Sequence, residues 1–424
     1  MGLGQHRPAS KSYGKQKLPP QTLAAVAENF GRGLGFVRPT IYFYTKEGEK
    51  TVKREFPLAR SWAEVDLGLI RHNFREIKKR LSPQVRFMAV VKADAYGHGA
   101  AEVARATLEE GAAFLGVATV EEALALRQAG FKTPILLLGP PPLEAAGSVV
   151  EQDIAATIFS LPQAEALARE AFRQKKIAKV HIKVDTGMGR IGLRGAEEVL
   201  SFCRKIAEWP LFIEGIFTHF ACADEVEKAK TAQQLEGFLR VIKKLEEEGL
   251  NIPLKHAANS AATLEYPPSH LDMVRVGIAL YGYHPRPGAS GINLKPALTW
   301  KAKITQVKRV PPGTPISYGW TYKSSGEEII ATVPVGYADG YRRILSNRGW
   351  VLVQGKRAPV VGRVCMDQFM IRLEEEVAPG TEVILLGRQG EEAITADEMA
   401  SWLDTISYEV LTSIGRRVPR VYKS

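Results

Sequence analysis

The chain has 424 residues and a formal net charge of +11, and 45% of its residues are apolar. This length and composition favour a globular protein with two domains and a large core. Its three cysteines form no CxxC pair, which argues against a zinc cluster or a disulfide framework and favours a reducing, cytoplasmic compartment. No apolar stretch approaches the roughly 20 residues that cross a bilayer, so we expect no membrane association.

The excess positive charge is concentrated near the N-terminus. Residues 1–60 carry 11 Lys and Arg against 4 Asp and Glu, whereas the other residues carry 46 against 42. Composition predicts a basic, partly disordered extension over residues 1–59, with a short strand or hairpin at 36–37 and 41–44. We favour a tethering or adventitious role for this extension over nucleic-acid binding, and therefore expect no nucleic-acid partner.

From residue 60 the pattern alternates between short apolar runs and longer amphipathic stretches. Helices are predicted between the runs, for example at 101–110, 120–128, 161–174 and 224–248. Eight such units in about 220 residues are typical of a (β/α)8 TIM barrel, which we place at residues 60–292. The eight predicted strands lie at 87–91, 114–118, 134–138, 155–159, 180–184, 213–217, 253–257 and 273–279.

The character of the sequence changes after residue 287. Strands separated by Gly and Pro replace the helical periodicity, at 302–310, 328–335, 351–353, 360–366 and 382–386, with one helix at 396–403. This pattern predicts a mostly antiparallel β domain over residues 293–424. The fold class is therefore α/β, a TIM barrel followed by a C-terminal β domain.

Two lysines stand at the ends of barrel strands, where catalytic groups of such barrels lie. Lys92 ends the first run, and burial there would lower its pKa and make it a usable amine nucleophile or base. A lysine at a strand end also often reaches solvent, and the pattern leaves both readings open. Lys183 ends the fifth run and is either buried or turned outward between helices. The glycines before Arg190 favour its projection into the barrel mouth, where it would hold a carboxylate.

Further polar residues follow the later strands. His219 follows the sixth run, the pair Asn259 and Ser260 follows the seventh, and Arg275 lies within the eighth. A buried arginine needs a partner, which favours a functional or ion-pair role for Arg275. The backbone amides of Gly277 and Ile278 lie after strand 8, where barrels commonly bind phosphate. The residues alone thus indicate a phosphate-bearing ligand and an amine lysine.

The sequence resembles alanine racemases, which are pyridoxal phosphate (PLP) enzymes of fold-type III. The matching strings run in family order from about residue 61 to the C-terminus. They are AVVKADAYGHG (89–99), VDTGMGRIG (184–192), THFACAD (218–224), ANSA (258–261), VRVGIALYG (274–282), SYG (317–319), GYADGY (336–341), GRVCMDQ (362–368) and RVPR (417–420).

The resemblance implies a role for each matching residue. Lys92 would hold PLP covalently and act as one base, while Tyr318 from the partner subunit of a homodimer would act as the other. Arg190 and Met366 would bind the substrate carboxylate, and Arg275 would face the pyridine nitrogen, with His219 linking it towards Tyr318. Lys183 matches a lysine that is often carbamylated in the family, and is a candidate for this modification. The residues that would hold the cofactor, mainly at its phosphate, are Tyr96, Asn259, Ser260, Gly277, Ile278 and Tyr408, and those that would narrow the entryway are Tyr337, Arg363 and Tyr408.

This resemblance implies conversion between L-alanine and D-alanine by two bases, which supplies D-alanine for peptidoglycan, and requires no metal. PLP would stabilise the carbanion, and a base on each face would exchange the Cα proton. The alternatives are a racemase for another amino acid such as serine, a decarboxylase and a non-catalytic PLP carrier. An acidic residue in place of Arg275 would suit a decarboxylase, and a carrier would lack the β domain.

Overall fold

The computed structural model describes residues 59–286, 289 and 291–424, and the backbone of two short strands, β1 (Thr40–Ile41) and β2 (Arg54–Glu55). Residues from Thr40 to Ser424 belong to one compact unit. The two short strands pair antiparallel, so Ile41 of the predicted 41–44 segment is a strand residue. The rest of that segment, the predicted strand at 36–37 and the other residues of the N-terminal extension lie outside the described residues.

Eight parallel strands form the nearly closed barrel that the sequence predicts. Their order is β10-β9-β8-β7-β6-β5-β4-β11, and β11 pairs with β4. Every predicted apolar run overlaps one of these strands, which confirms the barrel. The strands are β4 (Arg86–Val90), β5 (Phe114–Val117), β6 (Ile135–Leu137), β7 (Ala155–Ile158), β8 (Ala178–Lys183), β9 (Leu211–Phe217), β10 (Leu254–His256) and β11 (Met273–Val276).

Helices cover the outside of the barrel, and the longer ones bury an apolar stripe. In α6, for example, Ala164, Leu167 and Ala171 recur every three or four residues and are buried. Residues 93–96 are an exception, because their backbone angles are left-handed. The helix predicted at 224–248 begins later, at Ala229. The helices are α1 (Leu67–Lys78), α2 (Lys92–Gly97), α3 (Ala100–Glu109), α4 (Val120–Gln128), α5 (Ala146–Glu151), α6 (Leu161–Arg173), α7 (Gly195–Ile206), α8 (Ala229–Glu247) and α9 (Ser260–Glu265).

A second sheet forms most of the C-terminal β domain, and its pairs are antiparallel except for β22 with β3; β14 and β15 form a separate two-stranded sheet. Two helices, α10 (Ala396–Leu403) and α11 (Ser407–Ser413), pack beside the second sheet. The strands are β3 (Ser61–Asp66), β12 (Leu298–Lys303), β13 (Gln306–Val310), β14 (Pro315–Ile316), β15 (Tyr322–Lys323), β16 (Glu328–Val333), β17 (Trp350–Val353), β18 (Lys356–Val361), β19 (Phe369–Leu373), β20 (Glu382–Gln389), β21 (Glu392–Ile394) and β22 (Arg420–Lys423).

Three details of this sheet differ from the sequence prediction. The run at 302–310 is two strands, β12 and β13, and neither β19 nor α11 was predicted. Strand β3 pairs with β12 and β22, so residues 61–66 lie in the second sheet although the predicted division assigns them to the barrel. From residue 61 the chain therefore passes through the second sheet, forms the barrel and returns to the second sheet. The domain limits of 59, 292 and 424 stay a prediction.

Candidate active site

Lys92 lies at the carboxyl end of β4, directly before a left-handed turn. From Ala93 to Tyr96 every φ is between 52° and 54°, a conformation that costs a non-glycine residue about 1–2 kcal/mol. Two side chains hold the turn: the Ala93 amide donates to Glu122 Oε1 at 2.6 Å, and the Ala100 amide donates to Asp94 Oδ1 at 2.8 Å. The surrounding structure thus fixes the backbone that presents Lys92.

The environment of Lys92 favours its neutral amine. Burial lowers its pKa, and the positive charges of Arg190 and Arg275 lower this pKa further, while Glu122 opposes the shift. A neutral amine is the form that attacks an aldehyde or removes a proton. The structure therefore places at this strand end an amine prepared for covalent or base chemistry.

A polar cradle lies at the carboxyl ends of β10 and β11. Asn259 caps helix α9 by accepting from the Ala262 amide at 3.0 Å. Next to it, Ser260 Oγ accepts from the Gly277 amide at 2.9 Å. Backbone amides and a hydroxyl that converge beside a helix N-terminus are suited to an anionic group such as phosphate.

Aromatic side chains enclose the same cradle. The ring of Tyr96 lies 4.8 Å from that of Tyr281 and 6.0 Å from that of Tyr408. A Cβ atom at Gly277 would lie 2.4 Å from Tyr96 Oη, so only glycine allows the Tyr96 ring to lie this close to the backbone. Ile278, which begins the short helix after β11, is buried behind it. All the predicted phosphate residues are thus brought together.

Arg275 is buried in the barrel and donates four hydrogen bonds. Its acceptors are His256 Nδ1 at 3.0 Å, His219 Nδ1 at 3.2 Å, Thr218 O at 2.9 Å and Ala257 O at 3.0 Å. Burial lowers the pKa of Arg275 to about 9, so its guanidinium is still charged at neutral pH. Burial and this same charge hold the pKa of His219 well below its usual value, so His219 is neutral.

Lys183 is buried in the barrel interior, which decides between the two orientations that its sequence left open. Its side chain is 2% exposed, and its Nζ donates to Val184 O at 2.7 Å. Burial and the charge of Arg275 lower its pKa to about 8. Asp185 does not pair with it, because that carboxylate accepts from the Arg194 side chain and from the amides of Gly187 and Gly189.

Asp185 shapes the loop that carries Arg190. By accepting from two glycine amides, at 3.1 Å and 3.0 Å, its carboxylate closes the turn that follows β8. Arg190 is exposed beyond this turn, and its charge lowers the pKa of both Lys92 and Lys183. An exposed guanidinium at the barrel mouth is suited to a substrate carboxylate.

The residues predicted from the β domain form a separate, exposed group. Tyr318 is 70% exposed and Met366 is 53% exposed. Ser317 Oγ donates to Arg363 O at 2.7 Å, and the Tyr337 amide donates to the Cys365 carbonyl at 3.1 Å. These bonds hold the segments around Tyr318, Tyr337, Arg363 and Met366 beside one another. Among the described residues, no hydrogen bond or ring contact joins Tyr318 to the barrel mouth.

Sequence reasoning missed Glu122, which contacts the backbone next to Lys92. Its other oxygen accepts from the Ala118 amide at 2.8 Å, and with Thr119 it forms the capping box of α4. The spacing Thr-x-x-Glu is a signal that the sequence does contain. What it does not contain is the second partner, Ala93, which lies 29 residues earlier in the chain.

Comparisons with known proteins agree with this geometry. The alanine racemase N-terminal domain model matches residues 65–285, and the alanine racemase C-terminal domain model matches residues 297–422. The chain belongs to the alanine racemase family. It is 48% identical to an alanine racemase of Desulfovibrio desulfuricans, over 85% of this chain and 97% of the relative, and 50% identical to one of Desulforamulus reducens, over 85% and 98%.

Solved structures of the family superpose closely on the chain. Alanine racemase of Clostridium difficile 630 has a TM-score of 0.83 at 42% identity, covering 87% of this chain and 97% of that one. Alanine racemase of Bacillus anthracis with bound L-Ala-P has a TM-score of 0.83 at 44% identity, covering 88% and 96%. A histidine racemase of Leuconostoc mesenteroides shares the fold at 30% identity, with a TM-score of 0.81 over 87% and 99%.

The protein is therefore a PLP-dependent amino-acid racemase, and its described residues fit this cofactor. Lys92 offers an amine of lowered pKa for the aldehyde, and the cradle at Ser260 and Gly277, with Tyr96 Oη beside it, has the polar groups that a phosphate needs. Arg275 is a buried cation that suits an unprotonated ring nitrogen, because a guanidinium only donates. None of the described helices is long and apolar enough to cross a membrane.

Proposed function

We propose that this protein interconverts L-alanine and D-alanine by two bases on opposite faces of the substrate. The observation that carries the proposal is Lys92, an amine of lowered pKa presented by a rigid turn beside a phosphate cradle, in a chain of this family. Bound PLP supplies an electron sink that makes the substrate Cα proton acidic. The residues of the protein then decide where that proton goes.

Each base acts on one face of the substrate. Lys92 Nζ removes the proton on one face, and Tyr318 Oη of a second subunit returns a proton on the other; the reverse reaction exchanges these roles. Arg190 binds the substrate carboxylate, with Met366 of the second subunit beside it. Tyr96, Asn259, Ser260, Gly277, Ile278 and Tyr408 hold the cofactor, mostly at its phosphate. Arg275 would face the ring nitrogen of bound PLP, and because a guanidinium only donates, it would leave that nitrogen without a proton and so limit side reactions.

The exposed surface around Tyr318 supports a homodimer in which each active site takes residues from both subunits. The exposed group around Tyr318 includes Trp320, which is 68% exposed, and Met366. Large exposed apolar side chains that lie together mark interaction surfaces. A second copy that covers this group brings Tyr318 to the barrel mouth, where one chain alone does not bring it. We place this homodimer in the cytoplasm, where its product serves cell-wall synthesis.

Purified protein with added PLP tests the proposal directly. L-Alanine should be converted to D-alanine, measured with a D-amino-acid oxidase assay, and Lys92→Ala should abolish the conversion. A panel of other L-amino acids belongs in the same experiment, because the histidine racemase neighbour has the same fold. If another amino acid were converted fast and alanine slowly, that amino acid and not alanine would be the substrate. Bound PLP without any turnover would identify a carrier.

A further inference from the structure

The barrel interior contains a chain of polar side chains that extends away from the cofactor site. Arg275 donates to His256 Nδ1 at 3.0 Å, and His256 Nε2 lies 2.9 Å from His181 Nδ1. His181 Nε2 in turn lies 3.1 Å from Glu214 Oε2. Both histidines are fully buried, and the Glu214 side chain is 14% exposed. The roles assigned above use Arg275 alone.

The direction of every hydrogen bond in this chain follows from Arg275. A guanidinium has only donors, so His256 Nδ1 must accept and the proton of neutral His256 is on Nε2. That proton is donated to His181 Nδ1, which leaves the proton of neutral His181 on Nε2, facing the carboxylate of Glu214. Burial lowers the pKa of both histidines, in agreement with their neutral forms.

A charged His181 does not fit this arrangement. It would donate from Nδ1 to His256 Nε2, and His256 would then accept at both ring nitrogens. A neutral imidazole has one donor and one acceptor and its cation has two donors, so neither form of His256 satisfies both bonds. The chain therefore has one consistent state, with a cation at Arg275, two neutral rings and an anion at Glu214.

The backbone of β9 is adapted to place Glu214. The register with β8 pairs Val180 with Ile213 and then His181 with Gly215, so Glu214 is the extra residue of a β-bulge. Bulges redirect side chains and recur near active sites. Gly215 is required as well, because a Cβ atom there would lie 2.3 Å from His181 Nδ1. The bulge and the glycine together make room for the His181 ring and direct Glu214 towards it.

We infer that Glu214 and His181 are positioning residues that hold Arg275 through His256. None of the four acceptors of the Arg275 guanidinium is a carboxylate. Glu214 is the negative end of the chain and provides the counter-charge through two polarised rings. The inference rests on the proposed function, because it concerns the group that would face the cofactor ring nitrogen.

The proton positions are measurable without turnover. In the full-length holoenzyme labelled with 15N-histidine, long-range NMR correlations should show His181 and His256 both neutral and protonated at Nε2. The His181→Asn and His256→Asn variants assign the signals. Protonation at Nδ1 of either ring, or a charged His181 at neutral pH, would overturn the inference.

Kinetics test the consequence for the reaction. Glu214→Gln keeps an acceptor for His181 but removes the charge, and His181→Asn keeps an acceptor for His256 but has no atom that reaches Glu214. We expect each variant to lower kcat about tenfold with KM within twofold, a usual size for a group that acts through the residue touching the site. The double variant should lose no more than either single one, because both interrupt one chain.

Glu265→Gln is the matched control. Glu265 is 16% exposed and also faces a histidine, His284, but among the described residues no hydrogen-bonded path leads from it to Arg275. Its kcat should stay within twofold of the wild type even if stability falls. An unchanged kcat in Glu214→Gln, or losses that add in the double variant, would refute the positioning role. An inactive wild type would instead refute the proposed function, and the NMR pattern would then decide the inference.

Discussion

The close contact between Gly277 and Tyr96 leads to a prediction about the affinity for PLP. A methyl group at this position would lie 2.4 Å from Tyr96 Oη, so Gly277→Ala must displace that ring or fill the phosphate cradle. We expect the dissociation constant for PLP to rise at least tenfold, which corresponds to about 1.4 kcal/mol. Titration of the apoprotein with PLP, followed by protein fluorescence, measures it.

Gly326 provides the control for that variant. No atom lies within 4 Å of the position that its Cβ would take, so Gly326→Ala adds the same methyl group to open space. Its PLP affinity should equal that of the wild type. Equal affinities in all three proteins would show that the cradle at Gly277 does not bind the phosphate.

Burial of Lys183 makes stability depend on pH and on carbon dioxide. Its folded pKa of about 8 lies below the roughly 10.5 of an unfolded lysine, so the unfolded chain binds this proton more tightly. The destabilisation caused by burying the charged amine is greatest below about pH 8, and the free energy of unfolding rises with pH between about 8 and 10.5. The neutral amine can also lose a proton as it adds CO2, which gives a buried carbamate anion near Arg190 and Arg275 instead of a third cation.

We therefore expect bicarbonate at pH 8 to stabilise the protein, by an amount on the order of 1–3 kcal/mol. The Lys183→Met variant should show no such response and should have a flatter dependence on pH over the same window. Urea unfolding with and without bicarbonate measures both effects. An identical bicarbonate response in the two proteins would exclude a carbamate at Lys183.

The sequence allowed the reactive residues to be named but not their surroundings. Lys92 and Lys183 both end apolar runs, and periodicity could not distinguish the lysine at the mouth from the one buried inside. Glu214 has polar spacing within a strand, and only the register shift against β8 turns it towards His181. Contacts of this kind join distant parts of the chain, so they have no local sequence signal.

The left-handed turn before Tyr96 depends on another element, helix α4. Glu122 accepts from Ala93, Ala118 and Thr119, and a glutamine has only one oxygen for these three amides. We expect Glu122→Gln to lower the free energy of unfolding by about 1–2 kcal/mol, because at least one of these amides loses a charged acceptor. It should also lower kcat, because Lys92 moves with the turn.

Urea unfolding and kcat are the measurements for this variant. Glu121→Gln, on the exposed side of the same helix, is the control; it should leave kcat unchanged and lower the free energy of unfolding by less, because its exposed carboxylate contacts only the first turn of α4. If Glu122→Gln lost stability while kcat remained that of the control, Glu122 would support α4 but not Lys92.

Prediction of the elements succeeded where a local pattern decides the structure. Strands β5 and β6 are apolar on both faces, and most of the other barrel strands contain short apolar runs, so they stand out from the amphipathic helices around them. In the β domain, the break at Ile304–Thr305 interrupts a run that reads as one strand, and β3 pairs with residues more than 200 positions away. Local composition does not contain such pairings.

At the scale of the molecule, both ends of the described chain secure the β domain that carries the second group of site residues. Strands β3 and β22 lie side by side, although they are the first and last of the second sheet in sequence. Arg60 adds a bidentate contact to Asp339 at 3.0 Å and 3.2 Å, and the Asp339 carboxylate accepts from the Gly336 amide. The segment that precedes the barrel thus supports the loop of Tyr337.

The proposed composite site predicts complementation between two inactive proteins. Lys92→Ala removes one base and Tyr318→Phe removes the other, so each homodimer should be nearly inactive. In a mixed dimer, one site combines the intact Lys92 of one subunit with the intact Tyr318 of the other. After random exchange of subunits, half the dimers are mixed and half of their sites are complete, so about a quarter of wild-type activity should return.

The measurement is racemase activity after the two variants are mixed, mildly dissociated and reassociated. Each variant treated alone is the control and should stay inactive. If both bases came from one chain, every site in a mixed dimer would lack one of them and no activity would return. Recovery near a quarter therefore identifies Tyr318 as a residue that acts on the neighbouring subunit, because only sharing of residues between subunits restores a complete pair of bases.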